Sequence, residues 1–362
     1  MKSRKKYSLA RIALCLPFAA ALLLSMSAPA GALRGTTPPT PLRIATPADM
    51  IDTWYPMSYN WLAVQNPAGK EKLLITFALH NFPAPQLISI ITAPDGSYYN
   101  ALDYALDPYV ITADPITVRN SRFSWSFVPE REAWHLVLND PMTQIGVPGA
   151  VADLWFYDTK PGAAMTDVDW DGQKVFWAST LGAAKVDGWI RFPGQAEPTA
   201  VHEWAGEQER MAGYFDLVAG HKGYEYAQAS NPDGSADQLF AFPQKNGDVR
   251  GVLAHTGADG SVTMCEPDHV ELTDWTTEFG MDRGAPVAPL DYPRTIRSSC
   301  TSGDVHLART FTVTEQHVHP LRFGPTDFTM ALTTMADGHS DVPGSVATIQ
   351  HLRNLGWERQ RN

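Results

Sequence analysis

Residues 224–265 read YEYAQASNPDGSADQLFAFPQKNGDVRGVLAHTGADGSVTMC, and this stretch decides the fold class. Short apolar segments alternate there with turn sequences that recur roughly every 12 residues. The turns are Asn231-Pro232-Asp233-Gly234, Asn246-Gly247 and Ala258-Asp259-Gly260. Closely spaced turns between short segments are typical of antiparallel β-structure. The stretch therefore predicts a β-meander.

The same pattern extends in both directions from this stretch. Between residues 123 and 127, for example, aromatic residues alternate with serine, which gives one aromatic and one polar face. Convincing helices are few, and Val346–Leu355 is the best candidate. The chain is thus predicted to be all-β with few helices, as two β-sandwich or barrel domains in tandem. The predicted strands are Lys72–Phe82, Leu87–Thr92, Phe123–Phe127, Trp134–Leu138, Val151–Tyr157, Lys174–Phe192, Tyr224–Ala229, Gln238–Phe242, Val249–His255, Ser261–Cys265, His269–Trp275 and Val305–His319.

The N-terminal residues predict export. Residues 1–32 have a basic start, an apolar run from Ile12 to Leu24 and small residues at the expected cleavage site, which is typical of a signal peptide. The apolar run is shorter than a membrane-spanning helix, so we expect no stable membrane insertion. An extended leader over residues 33–48 would follow, then an N-terminal β domain over 49–196 and a C-terminal β domain over 197–362. The expected location is secreted or periplasmic.

Composition excludes some partners and suggests one covalent link. The net charge is −11, and the predicted signal peptide carries five of the 28 basic residues but no acidic ones. A chain this acidic is not expected to bind nucleic acid or anionic membranes, which require basic patches. In the exported chain only Cys265 and Cys300 remain. In an oxidising compartment they either form a disulfide or stay free.

Two clusters have spacings that metal ligands adopt. Asp167, Asp169 and Asp171 precede Gly172, as in the first half of a calcium loop, although Ala178 occupies the twelfth position, where a bidentate acid is expected. The alternative is a solvated hairpin turn. A second cluster of Glu315, His317 and His319 shares one strand face and suggests either a divalent metal or a polar patch. No nucleophile elbow, zinc-protease motif or phosphate-binding glycine loop occurs.

The densest mix of acids and aromatic residues is the central stretch, Trp204–Ser230. Asp216 lies between Tyr214 and apolar neighbours, and a desolvated carboxyl has a raised pKa and donates a proton near neutrality. The predicted catalytic residues are therefore Asp216 as the acid and Tyr214 as a hydrogen-bond donor. The alternative is that Asp216 pairs with Arg210 or caps a turn. Other aromatic residues line an apolar cavity or simply fill the core: Phe123, Trp125, Phe127, Trp155, Phe156, Trp177 and Trp189.

Several short motifs resemble one superfamily. Their residues are Trp54-Tyr55, Val147-Pro148-Gly149, Phe176-Trp177-Ala178, Gly188-Trp189-Ile190 and Gly213-Tyr214-Phe215-Asp216 with Gly220. In these motifs the chain resembles the lipocalin-like proteins that include carotenoid 1,2-hydratases (hydroxyneurosporene synthases), AttH-like proteins and fungal Diels–Alderases. The resemblance implies two β-rich domains with an apolar pocket between them. Where the hydratases carry histidine, this chain has Phe215 and Leu217, so a mechanism that needs those histidines is not implied.

Taken together, the residues and the resemblance give one leading hypothesis and two others. The leading hypothesis is a secreted, cofactor-free hydratase, isomerase or cyclase that acts on a hydrophobic unsaturated isoprenoid or polyketide. The second is a lipocalin-like carrier that binds such a molecule unchanged, and the third, a carbohydrate-active β-protein, rests only on aromatic and acidic residues. No cofactor is expected, with calcium at the aspartate loop as the one alternative. The predicted ligand-binding residues are Trp54, Tyr55, Trp204, Tyr224, Tyr226 and His319.

Overall fold

A computed structural model describes residues 40–51, 55–80, 86–104, 108–143, 146–216, 220–282, 285–322 and 329–354. Within these ranges the side chains of residues 80, 102–104, 280–282, 285–290, 316–322, 329–336 and 354 are not described. The described residues form antiparallel strands and contain no α-helix, and two short 3₁₀ turns occur at Pro47–Met50 and Pro129–Arg131. Across the same residues, no helix has the length and apolar character needed to span a membrane. The all-β prediction is confirmed.

Thirteen strands of the described chain make the first sheet. Their order is β5-β4-β3-β2-β13-β12-β10-β9-β8-β7-β6, with β11 also paired to β12 and β1 to β11. The strands are β1 (Leu42–Ile44), β2 (Met57–Gln65), β3 (Lys72–His80), β4 (Gln86–Thr92), β5 (Tyr98–Tyr104), β6 (Val110–Ala113), β7 (Ile116–Arg119), β8 (Phe123–Val128), β9 (Ala133–Asn139), β10 (Val151–Lys160), β11 (Ala163–Trp170), β12 (Gln173–Arg191) and β13 (Thr199–Tyr214).

Nine described strands make the second sheet, in the order β17-β16-β15-β14-β22-β21-β20-β19-β18. The four strands from β14 to β17 follow one another along the chain and are neighbours in this order, as the meander signals predict. The strands are β14 (Gly223–Ser230), β15 (Ala236–Pro243), β16 (Val249–Thr256), β17 (Val262–Cys265), β18 (His269–Asp282), β19 (Ala285–Ser302), β20 (Val305–Arg322), β21 (Thr329–Ser340) and β22 (Val346–Asn354).

The first sheet curls so that strands far apart in its order meet. The Phe77 ring on β3 lies 4.7 Å from the Phe123 ring on β8, measured between centroids. The Tyr109 hydroxyl donates to the Gln86 carbonyl oxygen at 2.9 Å, which links residues near the two ends of the sheet. The curled sheet encloses an apolar core that includes Trp125, Trp134 and other large side chains.

A second apolar core, which we call the interface cluster, lies between the two sheets. The first sheet contributes Trp170, Trp177 and Met211, and the second contributes residues such as Tyr224 and Phe240. A hydrogen bond from the Trp170 indole to the Gly223 carbonyl oxygen, 3.2 Å long, also crosses this boundary. The face that each sheet turns toward the other is therefore buried and mostly apolar.

The sequence predicted a helix at Val346–Leu355 and a domain boundary between residues 196 and 197. Val346–Leu355 is not a helix, because residues 346–354 form β22 and pair with β14 and β21. The division into domains 49–196 and 197–362 stays a prediction. Residues 199–214 still belong to the first sheet, and the change to the second sheet comes between Tyr214 and Gly223.

Candidate functional site

The candidate site is built on β13, whose two faces have different surroundings. Met211 belongs to the interface cluster, whereas Arg210 points the other way, and its Nε and Nη1 donate to the Ser58 hydroxyl at 3.0 Å and the Asp49 carbonyl oxygen at 2.7 Å. Because side chains alternate along a strand, Glu207 and Glu209 share the face of Met211. We call these two residues the acid pair, and both are buried. The strand thus carries two carboxyl groups toward the second sheet.

Glu209 is a carboxyl group in an apolar, aromatic environment. The Trp177 indole N–H donates to its Oε2 atom. Burial raises the pKa of Glu209 well above its ordinary value, and the nearby Glu207 carboxyl raises it further. Burial therefore favours the protonated form of Glu209, in which a carboxyl group can donate a proton.

Glu207 has a more mixed environment than Glu209. Burial raises its pKa to about 8, although the positive charge of Lys72 and a hydrogen bond from the Thr348 hydroxyl act in the opposite direction. The Lys72 ammonium itself lies 2.7 Å from an Asp337 carboxylate oxygen. The Oε1 atom of Glu207 is buried and has no hydrogen-bond partner among the described residues. Glu207 thus has contacts that favour its ionised form as well as burial that disfavours it.

Two tyrosines of β14 form the opposite wall of the site. Burial raises the pKa of both Tyr224 and Tyr226 well above the ordinary value. The nearby Glu209 carboxyl adds to the effect at both tyrosines, and the Glu207 carboxyl adds to it at Tyr226. The Tyr226 hydroxyl donates to the Gln228 Oε1 atom at 3.0 Å. Phe240 packs edge-on against Tyr224, with ring centroids 5.0 Å apart. Both tyrosines remain neutral phenols that can donate hydrogen bonds.

The geometry of β13 depends on two glycines. A Cβ atom at Gly206 would collide with the Val186 and Phe156 side chains that pack over the strand. Gly213 has a φ of +149°, and a Cβ atom there would meet the Lys174 carbonyl oxygen of β12. Gly206 thus lets the core of the first sheet pack against β13 on the face opposite the acid pair, and Gly213 lets β12 approach the end of the strand.

The predicted acid does not lie in this environment. Asp216 follows the end of β13 and is exposed, and Tyr214 is 60 % exposed. The backbone of Asp216 carries its described contacts: the N–H donates to Gln173 Oε1 at 2.5 Å, and the carbonyl oxygen lies 2.8 Å from His221 Nε2. The prediction that the Asp216 carboxyl is desolvated is therefore wrong, because the residue is exposed. Desolvation applies instead to Glu207 and Glu209, in the same central stretch.

The predicted ligand-binding residues are divided among three places. Tyr224 and Tyr226 lie beside the acid pair, as described above. Trp204 packs inside the curl of the first sheet. Tyr55 stacks on Phe176 at 6.1 Å, on the face that holds Arg210. Trp54 and the His319 side chain lie outside the described residues.

The predicted calcium loop is a hairpin turn between β11 and β12. The Asp169 carboxylate accepts from the Gly172 N–H at 2.8 Å and lies 3.8 Å from the Lys174 ammonium. Asp171 accepts from the Lys245 N–H at 2.8 Å, while Asp167 takes a bulge conformation with a φ of 52°. No three His, Cys, Asp or Glu side chains of the described chain could together hold a metal ion. Asp169 and Asp171 thus accept hydrogen bonds around this turn, and calcium binding at the loop stays a prediction.

The second predicted metal cluster lies mostly outside the described side chains, whereas both cysteines are described. Glu315 is exposed and lies 3.7 Å from the Lys70 ammonium, and the His317 and His319 side chains are outside the described part. Cys265 and Cys300 form a disulfide with their Cα atoms 5.8 Å apart. This bond joins β17 to β19 across the core of the second sheet.

Sequence reasoning identified the stretch but not which of its acids are buried. Glu207, Glu209 and Met211 are spaced by two residues in a segment without turn residues, which predicts that they share one strand face. This spacing was the available signal. The hydrogen bond from the Trp177 indole to Glu209 could not be predicted from the sequence, because it depends on the pairing of β12 with β13.

Comparison with known proteins supports the fold. The sequence matches no protein-family model and no curated protein. Among solved structures, a Nitrosomonas europaea protein assigned as an AttH has a TM-score of 0.54 at 14 % identity, covering 85 % of this chain and 95 % of that one. CghA, solved with Sch210972, has a TM-score of 0.54 at 12 % identity, covering 83 % and 89 %.

A third solved structure is more distant. Kievitone hydratase from Nectria haematococca has a TM-score of 0.45 at 10 % identity over 83 % of this chain and 90 % of that one, too low to carry an argument. The first two likenesses confirm the fold that the resemblance to AttH-like proteins and Diels–Alderases implied: two antiparallel β units, packed here through the interface cluster.

Proposed function

We propose that the protein is an enzyme that acts on a hydrophobic, unsaturated small molecule through acid chemistry at the acid pair. The observation that carries the proposal is the burial of Glu207 and Glu209 side by side on one strand, facing aromatic side chains of the second sheet. Burying two carboxyl groups costs several kcal/mol, so a fold that keeps them is expected to use them.

The two carboxyl groups suit different roles. Glu209 is held neutral by burial and is the proton donor to a carbon–carbon double bond. Glu207, whose pKa is raised to about 8, is also mostly protonated at neutral pH, and the nearby Lys72 favours release of that proton. Pairs of titratable groups with separated pKa values are typical of acid–base catalysis. Addition of water and double-bond migration both begin with proton transfer to a carbon–carbon double bond, which Glu209 can supply.

The surroundings favour an apolar substrate. Trp177, Tyr224 and Phe240 provide flat apolar surface beside Glu209, and an ionised ligand would be poorly solvated there. The similar fold of CghA, solved with Sch210972, is consistent with a ligand-binding role. The Tyr224 and Tyr226 hydroxyls are suited to orient the substrate by hydrogen bonds.

We also propose that the protein works outside the cytoplasm. The Cys265–Cys300 disulfide supports this location, because disulfides persist in oxidising compartments. The signal-peptide pattern of residues 1–32 agrees with it.

The test starts from protein purified from its own host. Native mass spectrometry with organic extraction is expected to recover an apolar unsaturated compound at about one per chain. Incubation of that compound with the wild-type protein should change its mass or its retention time. Glu209→Gln should lower the rate by about 10²-fold or more while binding persists.

Each other outcome has a clear meaning. A compound that binds but is never altered would identify a carrier and contradict the enzymatic proposal. Unchanged turnover in Glu209→Gln would contradict the assignment of Glu209. Glu197→Gln is the matched control, because Glu197 is an exposed glutamate in the turn before β13.

A further inference from the structure

Two buried polar atoms on the face that carries the acid pair lack partners among the residues that the structure describes. The Trp61 Nε1 atom on β2 and the Glu207 Oε1 atom on β13 are both inaccessible to solvent and have no hydrogen-bond partner among the described residues. A buried polar atom left unsatisfied costs about 1–3 kcal/mol. Two such atoms in one place therefore suggest that a ligand satisfies them.

The strand register brings these two atoms to the same face of the first sheet. β13 pairs with β2 so that Glu209 is opposite Trp61 and Glu207 is opposite Ala63. Glu207 and Trp61 are thus diagonal neighbours, with backbones about 7–8 Å apart, within reach of long side chains. Both side chains project from the face that carries the acid pair.

Both groups are hydrogen-bond donors. An indole N–H can only donate. The Thr348 hydroxyl donates to the Glu207 carboxyl group, and because Oε1 has no partner this bond is made to Oε2. The proton of the neutral carboxyl group is then on Oε1. The missing ligand group must accordingly accept two hydrogen bonds.

The surroundings decide the kind of acceptor. Ala63, Leu74 and Ile90 form a small buried apolar cluster on this face, and the Trp61 ring packs against it. An ionised acceptor such as a carboxylate would be poorly solvated there and would lie beside the acid pair. A neutral oxygen with two lone pairs and no proton of its own fits both donors, and a carbonyl oxygen meets that description.

We propose that the substrate carries a carbonyl group whose oxygen accepts hydrogen bonds from Trp61 Nε1 and the Glu207 carboxyl group. This inference rests on the proposed function, because it assumes that the substrate occupies the space beside the acid pair. The two bonds would withdraw electron density from a double bond conjugated with the carbonyl group. They would also fix where the substrate lies relative to Glu209.

The experiment compares two probes that differ only in the carbonyl group. trans-Chalcone is a conjugated ketone, and 1,3-diphenylpropene replaces its carbonyl group by CH₂. Binding of each to the full-length protein is measured by calorimetry. Two neutral hydrogen bonds predict that chalcone binds about 5- to 50-fold more tightly. The carbonyl absorption of bound chalcone should also shift relative to free chalcone.

Trp61→Phe removes the N–H group and keeps an aromatic ring. It is expected to weaken chalcone binding about 3- to 10-fold and to leave 1,3-diphenylpropene binding unchanged. Trp189→Phe is the control, because Trp189 is an exposed tryptophan on β12 and should change neither affinity.

The outcomes separate this inference from the proposed function. Equal binding of both probes, or equal weakening of both by Trp61→Phe, overturns the carbonyl contact and leaves the acid chemistry of Glu209 standing. Failure of both probes to bind overturns the carbonyl contact and also counts against an apolar ligand site. Loss of turnover in Glu209→Gln, together with tighter binding of chalcone than of 1,3-diphenylpropene, supports both the carbonyl contact and the proposed function.

Discussion

At the scale of single residues, the difference between Asp216 and Glu209 shows what the sequence can and cannot predict. Both are acids within one stretch of aromatic and apolar residues, and local composition does not distinguish them. Asp216 lies after the strand and is exposed, whereas Glu209 is inside β13 and faces the second sheet. Burial of Glu209 depends on the packing of strands that are distant in sequence. The sequence therefore identifies the stretch that contains these acids, but it does not show which acid is buried.

The raised pKa of Glu207 predicts how stability depends on pH. Because its pKa is about 8 in the folded state and near 4.5 when unfolded, the unfolded chain loses this proton first as pH rises. The free energy of unfolding should therefore fall between about pH 4.5 and 8, by up to about 1.4 kcal/mol per pH unit from this group. Glu207→Gln should flatten that part of the profile.

Urea denaturation at several pH values measures this effect. Glu197→Gln, at an exposed position, should follow the wild-type profile. A Glu207→Gln profile as steep as that of the wild type would show that Glu207 is already ionised at low pH in the folded protein.

At the scale of elements, most strands were predictable because their turns and alternation are local. Val346–Leu355 was instead assigned as a helix, and its residues explain why. Val346, Ile349 and Leu352 are spaced by three, which resembles a helical face. In the structure both faces of β22 are covered: Ile349 packs in the core of the second sheet and Leu352 in the interface cluster. A strand buried on two sides loses its period of two, so periodicity misassigned it.

The disulfide gives a prediction at this scale. It joins β17 and β19 across a sequence separation of 35 residues. The double substitution Cys265→Ser and Cys300→Ser should lower the free energy of unfolding by about 2–4 kcal/mol, because the unfolded chain is no longer cross-linked. Thermal denaturation compared with wild type, with and without reductant, measures the loss. A variant as stable as the oxidised wild type would contradict this prediction.

At the scale of the whole molecule, the two sheets are held together by polar contacts as well as by the interface cluster. Lys72 on β3 and Asp337 on β21 make such a contact, and the Lys72 side chain is almost fully buried. Neither partner could be predicted from sequence, since the residues are 265 positions apart. The long-range pairing of sheets positions the acid pair, which is why the site had to be found in the structure.

Lys72→Met should have two effects. The lost ion pair should reduce stability by about 1.5–3 kcal/mol, because Asp337 loses its charged partner. The pKa of Glu207 should also rise, since Lys72 lowers it. The pH range over which stability falls should then extend above 8. Denaturation profiles of Lys72→Met and of Lys70→Met, an exposed neighbour paired with Glu315, would separate the two effects. A pH range that does not move would contradict the coupling between Lys72 and Glu207.

The central claim is that the interface between the sheets holds carboxyl groups in the neutral, proton-donating form. Infrared spectroscopy measures this directly, because protonated and ionised carboxyl groups absorb at different frequencies. At pH 7 the wild-type protein should show a protonated-carboxyl band that weakens in Glu209→Gln and weakens further in Glu207→Gln/Glu209→Gln, while Glu197→Gln leaves it unchanged. A wild-type spectrum without that band, or a band that Glu209→Gln does not alter, would contradict the account.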